Sequence, residues 1–239
     1  MTISANIDAV RRRIDAACER AGRAPDSVTL IAVSKGFPAD AIAQAAAAGQ
    51  RDFGENRVQE AIPKIDALAA CAANGSLSLD EGEGRGEGGL FTPRWHLIGH
   101  LQSNKAKAAA GRFAIIHSVD SLRLAQELSR RAERLSILLE VNVAQEASKS
   151  GFAPKEVVPA LSSIASLPHL DVRGLMTVAP LSNEPEAVRP VFRALRELRD
   201  ALGLAELSMG MTNDFETAIE EGATMVRVGR AIFGEREAV

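Results

Sequence analysis

The sequence has 239 residues, of which 46% are hydrophobic, and a formal net charge of −3 at pH 7, so it is long enough to bury one sizeable core. The 28 basic and 31 acidic residues are nearly balanced, which argues against a nucleic-acid partner. The apolar runs are too short to span a membrane and the two cysteines form no CxxC pair, so we expect a cytoplasmic protein with no membrane partner.

An amphipathic helix from about Ile3 to Ala21 opens the chain, and short apolar runs then alternate with helical stretches. The eight runs are Val28 to Ser34, Asp52 to Gly54, Trp95 to Gly99, Ala114 to Ser118, Ser136 to Asn142, Val172 to Met176, Glu206 to Met209 and Met225 to Val228. Eight such units are typical of a closed parallel barrel, whereas an open doubly wound sheet usually has about five or six strands. We therefore predict the α/β class, as a single (β/α)8 TIM barrel domain over residues 1–239 with an extra N-terminal helix.

Residues 74–89, before the third run, are rich in Gly, Ser, Glu and Asp and have almost no apolar content. Such a composition cannot bury enough surface to offset the entropy of ordering, so we predict a flexible Gly-rich insertion. Two interpretations stay open, namely a lid or partner-binding segment and an insertion without function.

Helix boundaries are marked by capping and helix-breaking residues. After the seventh run, Asn213 and Glu216 have the spacing of a capping box, which predicts that Asn213 caps a helix and leaves the Thr212 hydroxyl free to bind an anion. The other predicted boundary residues are Pro38, Gly49, Ser103, Asp120, Ser121 and Pro154.

The side chains that follow the strands deserve inspection, because a parallel barrel carries its active site at the carboxyl ends of its strands. Lys35 places a primary amine directly after the first run, and the loops after the seventh and eighth strands are where such barrels bind phosphate. An amine and a phosphate anchor across one mouth suit an aldehyde-bearing phosphorylated cofactor, which predicts pyridoxal phosphate. The candidate cofactor-binding residues are Lys35, Asn56, His100, Met176, Ser208, Met209, Gly210, Thr212, Arg227, Gly229 and Arg230.

A metal site is not expected, although His96 and His100 are four residues apart. On a strand, four residues span about 13 Å, and no carboxylate accompanies them in an HExxH pattern. We expect His96 to pack in the core and His100 to line the pocket. We expect His117 to be a satisfied polar group near the rim.

Eight longer strings strengthen the cofactor prediction. They are AVSK from Ala32 to Lys35, FGENRVQE from Phe53 to Glu60, WHLIGHLQSNK from Trp95 to Lys105, HSVDS from His117 to Ser121, SKSG from Ser148 to Gly151, GLM from Gly174 to Met176, LSMGMTNDFETAI from Leu207 to Ile219 and VRVGRAIFGER from Val226 to Arg236. Together they resemble the pyridoxal phosphate homeostasis proteins over nearly the whole chain. In two respects the sequence departs from that family, since Thr212 stands where serine is usual and the Gly-rich insertion is longer.

The resemblance implies one barrel, similar to the barrel domain of alanine racemase, that holds pyridoxal phosphate as a Schiff base on Lys35. It also implies Ser208, Gly229 and backbone amides around the phosphate, Asn56 near the ring substituents, and Arg227 facing the pyridine nitrogen. An arginine only donates hydrogen bonds, so the nitrogen facing it stays unprotonated and the ring becomes a weaker electron sink.

We therefore predict a non-enzymatic carrier, a monomer or weak dimer, that takes part in vitamin B6 homeostasis and delivers the cofactor to apo-enzymes. Two alternatives remain. The first is a pyridoxal phosphate-dependent amino-acid racemase, although a tyrosine-dependent one is excluded because the sequence has no tyrosine. The second is a class I aldolase-like enzyme in which Lys35 attacks a phosphosugar directly.

Overall fold

The computed structural model describes residues 2–73 and 92–235. The predicted insertion at 74–89 lies outside the described residues. No described helix combines the length and the apolar character that a membrane crossing requires.

Eight parallel strands of the described residues form a closed barrel in the order of the chain, which confirms the predicted architecture. The strands are β1 (Thr29–Val33), β2 (Asp52–Glu55), β3 (Arg94–Leu97), β4 (Ile115–Val119), β5 (Leu135–Glu140), β6 (Leu170–Met176), β7 (Glu206–Ser208) and β8 (Met225–Val228). Each overlaps one of the eight predicted runs. β8 closes the barrel by pairing with β1, with Ile31 opposite Arg227.

Helices follow the strands and surround the barrel, and α1 supplies the predicted extra helix at the start. They are α1 (Ile3–Arg20), α2 (Ala39–Ala47), α3 (Val58–Ala73), α4 (Ala106–Ala109), α5 (Leu122–Ser129), α6 (Val157–Ala165), α7 (Arg189–Ala201), α8 (Phe215–Glu220) and α9 (Arg230–Phe233). Ser121 caps α5 as predicted, since its hydroxyl accepts a hydrogen bond from the Leu124 amide at 3.3 Å.

The predicted capping box before α8 is wrong. Asp214, not Asn213, occupies the N-cap position, and its carboxylate accepts a hydrogen bond from the Met211 amide at 2.6 Å. Glu216 cannot complete the box because it pairs with Arg13 of α1 at 2.9 Å. Tertiary pairing therefore overrides the local pattern at this turn.

Alternate side chains of each strand enter two different cores, as the two-residue period of a strand requires. Ile31, Leu138, Met176 and Met225 form a small apolar cluster inside the barrel. Their neighbours, such as Ala32, belong to the larger core shared with the helices. Among the described residues this cluster has four buried members, and buried polar side chains complete the interior.

Candidate functional site

Lys35 lies at the carboxyl end of β1, two residues beyond Val33, and is partly buried. It lines a pocket of about 190 Å³ together with Phe37 and with Gly229 and Arg230, which form the turn between β8 and α9. Three predicted site residues therefore meet in this mouth pocket. They meet because β1 and β8 are paired neighbours whose carboxyl ends reach the same edge of the barrel.

The residues on either side of Lys35 are tied to α3 by a buried ionic cluster. Lys64 donates hydrogen bonds to the Ser34 carbonyl at 3.0 Å and to Glu55 Oε1 at 2.8 Å, and the Ser34 hydroxyl donates to the same Glu55 oxygen at 2.7 Å. Glu60 accepts from Lys64 at 2.9 Å and from the Gly36 amide. The backbone that carries Lys35 is thus fixed from both sides.

Burial raises the pKa of Glu55, although hydrogen bonds from Lys64 and Ser34 oppose the shift. Burial would also raise the pKa of Glu60, but the Gly36 amide and the Lys64 ammonium outweigh it, and that pKa is lowered. The second Glu55 oxygen, Oε2, is buried and has no hydrogen-bond partner among the described residues. Sequence reasoning missed this cluster, although Glu55 and Glu60 lie within the FGENRVQE string.

Arg227 projects into the barrel interior from β8 and is only 4% exposed. Its Nη1 donates to Ser208 Oγ at 2.6 Å, and its Nη2 donates to the Thr177 carbonyl at 2.8 Å. Burial lowers the pKa of Arg227 to about 10, opposed by the carboxylates of Asp214 and Glu140. The guanidinium therefore stays charged at neutral pH and is held by two hydrogen bonds at the back of the mouth.

A continuous row of polar side chains, which we name the interior chain, leads away from Arg227. His117 Nδ1 lies 2.8 Å from Ser208 Oγ, and His117 Nε2 lies 2.9 Å from His96 Nδ1. His96 Nε2 lies 2.9 Å from Asp52 Oδ1. The full interior chain is Arg227, Ser208, His117, His96, Asp52 and Arg94, whose Nη2 donates to Asp52 Oδ2 at 2.7 Å.

The interior chain corrects two expectations. His117 is completely buried inside the barrel rather than near the rim, and His96 makes specific polar contacts rather than only packing. Burial lowers the pKa of His117 well below 6.5, helped by His96 and Arg227. Burial alone would raise the pKa of Asp52, but hydrogen bonds from His96 and Arg94 hold it below its usual range.

The predicted residues after β6 and β7 occupy different environments. Met176 lies in the apolar cluster inside the barrel. Met209 is fully buried in the larger outer core, which leaves only its backbone to take part in a site at the mouth. Gly210 has a φ of 92°, and a Cβ there would lie 2.6 Å from the Cβ of Ala218, so this turn requires glycine. Thr212 is partly buried.

The rim holds His100 and Asn56. The His100 side chain is 55% exposed, and its Nδ1 lies 2.9 Å from Asp120 Oδ2. Asn56 is partly buried, and a Cβ on Gly99 would lie 2.5 Å from its carbonyl oxygen. The loops after β2 and β3 are therefore in close contact. Across residues 2–73 and 92–235, no group of three or more His, Cys, Asp or Glu side chains is arranged to hold a metal ion.

Glu140, the last residue of β5, is a further ionisable group of the interior that sequence reasoning missed. Leu138 lies in the cluster inside the barrel, so Glu140, two positions later, points to the same side. Its Oε2 is buried without a hydrogen-bond partner among the described residues. Burial and the charge of Asp120 raise the pKa of Glu140, against the opposing effect of Arg227.

A family model described as "Alanine racemase, N-terminal domain" matches residues 5–237, which is nearly the whole chain. The barrel superposes on a crystal structure of alanine racemase from Corynebacterium glutamicum with a TM-score of 0.61 and 20% identity, covering 94% of this chain and 60% of that one. At this identity the likeness concerns the fold alone, and it defines the class as a racemase-type barrel.

Closer relatives are more specific. The "Pyridoxal phosphate homeostasis protein" of Aquifex aeolicus is 42% identical, covering 99% of this chain and 100% of its own length. The structure of PipY from Synechococcus elongatus with PLP bound has a TM-score of 0.78 and 37% identity, covering 98% of this chain and 100% of that one. The chain belongs to the pyridoxal phosphate homeostasis protein family.

Replacing Lys64 should expose how strongly the ionic cluster stabilises the Lys35 segment. Lys64→Met leaves the fully buried Glu55 without its counter-charge, and we expect a loss of about 3 kcal/mol in the free energy of unfolding, measured by denaturant titration. Adding Glu55→Gln should restore part of the loss, while the exposed Lys107→Met should change stability by less than about 0.5 kcal/mol. Equal stability of Lys64→Met and wild type would contradict this view.

Acid should destabilise the protein through His117. The unfolded chain binds a proton at this residue as the pH falls through about 6.5, whereas the folded state keeps the imidazole neutral. The free energy of unfolding should therefore decrease by about 1.4 kcal/mol for each pH unit below 6.5, until the folded pKa is reached. Measured between about pH 6.5 and 5, His117→Asn should lack this decrease, and the exposed His169→Asn should retain it.

Proposed function

We propose that this chain binds pyridoxal phosphate as a Schiff base on Lys35 and acts as a carrier that buffers the cofactor and passes it to apo-enzymes. The observation that carries the proposal is the mouth pocket, which Lys35 lines together with the turn of Gly229 and Arg230. Bound there, the cofactor supplies an electrophilic aldehyde. Relatives named for pyridoxal phosphate, and PipY with PLP bound, support the choice of ligand.

The phosphate of this ligand fits the loops after β7 and β8. A Cβ on Gly229 would lie 3.1 Å from the Val33 carbonyl, so glycine lets this turn approach β1 closely and present backbone amides. The guanidinium of Arg230 and the Thr212 hydroxyl, both partly exposed, supply side-chain donors nearby. We assign the phosphate to this group, with the backbone of Gly210.

The resemblance places Ser208 at the phosphate, but its partners favour another assignment. Its hydroxyl is fully buried and contacts Arg227 at 2.6 Å and His117 at 2.8 Å. We therefore assign Ser208 to the support of Arg227. In this proposal Arg227 faces the ring nitrogen, while Asn56, Met176 and His100 surround the rest of the ring.

The charge of Arg227 favours a carrier over an enzyme. Even with its pKa lowered to about 10, the guanidinium carries a full charge at neutral pH and offers only donors. A pyridine nitrogen facing it has to accept a hydrogen bond and remains unprotonated, which limits electron withdrawal by the ring. Such a site binds the aldehyde firmly without promoting reactions of a bound amino acid.

Borohydride trapping tests whether Lys35 forms the proposed Schiff base. With pyridoxal phosphate added, reduction and peptide mapping should place the label on Lys35 among the six lysines of the sequence. The Schiff-base absorption band should disappear in Lys35→Ala and persist in Lys155→Ala, which removes an exposed lysine. Labelling scattered over surface lysines would refute the assignment, and trapping of a sugar phosphate on cofactor-free protein would instead favour the class I aldolase alternative.

Amino-acid racemisation is a second candidate because of Glu140. One oxygen of this interior carboxyl is buried without a hydrogen-bond partner among the described residues, and burial raises the pKa of the group. Buried carboxyls with raised pKa values are used as general acids and bases. If the candidate holds, loaded protein should exchange the α-proton of an L-amino acid in heavy water. Glu140→Gln should abolish the exchange, and the exposed Glu133→Gln should not. If exchange is no faster than with free pyridoxal phosphate, the racemase candidate is refuted and only the carrier proposal stands.

A further inference from the structure

The interior chain joins the two ends of the barrel. Asp52 and Arg94 begin β2 and β3, whereas Ser208 ends β7 and Arg227 belongs to β8. Every member except Arg94 is at most 6% exposed, while the Arg94 side chain is 61% exposed. Five contacts of 2.6–2.9 Å connect the six side chains. A polar row this long inside a barrel has to satisfy its donors and acceptors internally.

Arg227, at one end of the interior chain, and Asp52, next to its other end, determine which atoms between them carry protons. Arginine has donors only, so Ser208 Oγ accepts from Arg227. At the other end, the Asp52 carboxylate has acceptors only while it is ionised, and its lowered pKa keeps it ionised at neutral pH. His96 Nε2, which lies 2.9 Å from it, therefore carries a hydrogen.

The middle of the chain follows from these ends. A neutral His96 that is protonated at Nε2 has an accepting Nδ1, so His117 must donate to it from Nε2. A neutral His117 with that hydrogen has an accepting Nδ1, and the Ser208 hydroxyl donates to it. With both imidazoles neutral, this is the only arrangement in which no contact joins two donors or two acceptors. Between Arg227 and Asp52 every donor points towards Asp52, which also accepts from Arg94 on its other side.

This direction matches the charges at the two ends. The positive Arg227 stands at the donating end and the negative Asp52 at the accepting end, so the field between them favours the same arrangement. With His96 neutral, reversing the contact between His117 and Ser208 would require a second proton on His117, close to the guanidinium of Arg227. Burial and that guanidinium both oppose protonation of His117, which leaves the Ser208 oxygen in one fixed state as the acceptor for Arg227.

We propose that His117, supported by His96, is a positioning residue for Arg227, which it holds through Ser208 in one orientation towards the mouth. The identity of the ligand that benefits, pyridoxal phosphate, rests on the proposed function. In that setting His117 never touches the cofactor. His117 orients the Ser208 hydroxyl, and that hydroxyl orients the Arg227 guanidinium, which faces the ring nitrogen in the proposed complex.

The first test uses the free protein. With ¹⁵N-labelled histidine and arginine, long-range ¹H–¹⁵N NMR at pH 7 should show His96 and His117 both protonated at Nε2 only, against the exposed His169 as reference. The Arg227 Nη protons should give separate, slowly exchanging signals. A hydrogen on His117 Nδ1, or rapidly averaged Arg227 signals in wild type, would overturn the proposal whether or not any cofactor binds.

The second test uses a matched pair of variants. His117→Asn keeps an acceptor near the position of Nδ1 for Ser208, whereas His117→Leu removes it, so the hydrogen of the buried Ser208 hydroxyl loses its acceptor while the oxygen still accepts from Arg227. We expect His117→Leu to average the Arg227 signals, to bind pyridoxal phosphate on the order of tenfold more weakly and to shift the absorption band of the bound form. His117→Asn should restore both signals and affinity to within about threefold, and His169→Asn should match wild type.

The outcomes separate the two proposals. A folded His117→Leu protein with wild-type Arg227 signals, affinity and absorption would refute positioning by His117. Fixed tautomers and an ordered Arg227 in wild type, combined with no binding of pyridoxal phosphate, would refute the proposed function and leave the positioning role standing. If His117→Leu does not fold, the NMR of the free wild-type protein still decides, because the tautomers and the Arg227 signals are observed there without any substitution.

Discussion

The parallel pairing of β1 with β8 is the contact on which the site depends. It joins the first and last strands of the described chain, with Ile31 opposite Arg227 and Ala32 opposite Val228. One consequence is that Lys35, just beyond β1, meets the turn at Gly229 just beyond β8. An open sheet of the same strands would leave these residues at opposite edges, so closure itself assembles an amine and a glycine turn into one pocket.

Closure also creates an interior that the apolar cluster fills only in part. The rest of the interior holds polar and charged side chains, whose charges have to be paired or hydrogen-bonded. A buried guanidinium is costly unless it is paired and hydrogen-bonded. Arg227 meets this requirement with Ser208 and the Thr177 carbonyl, and with the more distant carboxylates of Asp214 and Glu140. Outside the barrel wall, Lys64 pairs with the buried Glu55 and with Glu60 in the same way. This ionic cluster fixes the end of the strand that carries Lys35.

The sequence predicted the strands and the amine because both are local properties. Eight short apolar runs and a lysine at the end of the first are visible without knowing any long-range contact. The interior chain is not local, since His117 contacts Ser208 across 91 residues and His96 contacts Asp52 across 44. Periodicity shows that His117 faces inward or outward but not which partner it meets. The prediction of an Asn213 cap failed for a related reason, because Asp214 occupies the N-cap position and the distant Arg13 pairs with Glu216.

Arg94 gives the interior chain one end that solvent reaches, on the face of the barrel opposite the mouth. Dissolved ions screen exposed charges within a distance of about 8–10 Å at physiological salt and affect buried charges much less. Ionic strength therefore acts more strongly on the exposed Arg94, and through it on Asp52, than on the buried Arg227. Salt consequently changes the electrostatic potential of the interior chain mainly from the amino-end face of the barrel.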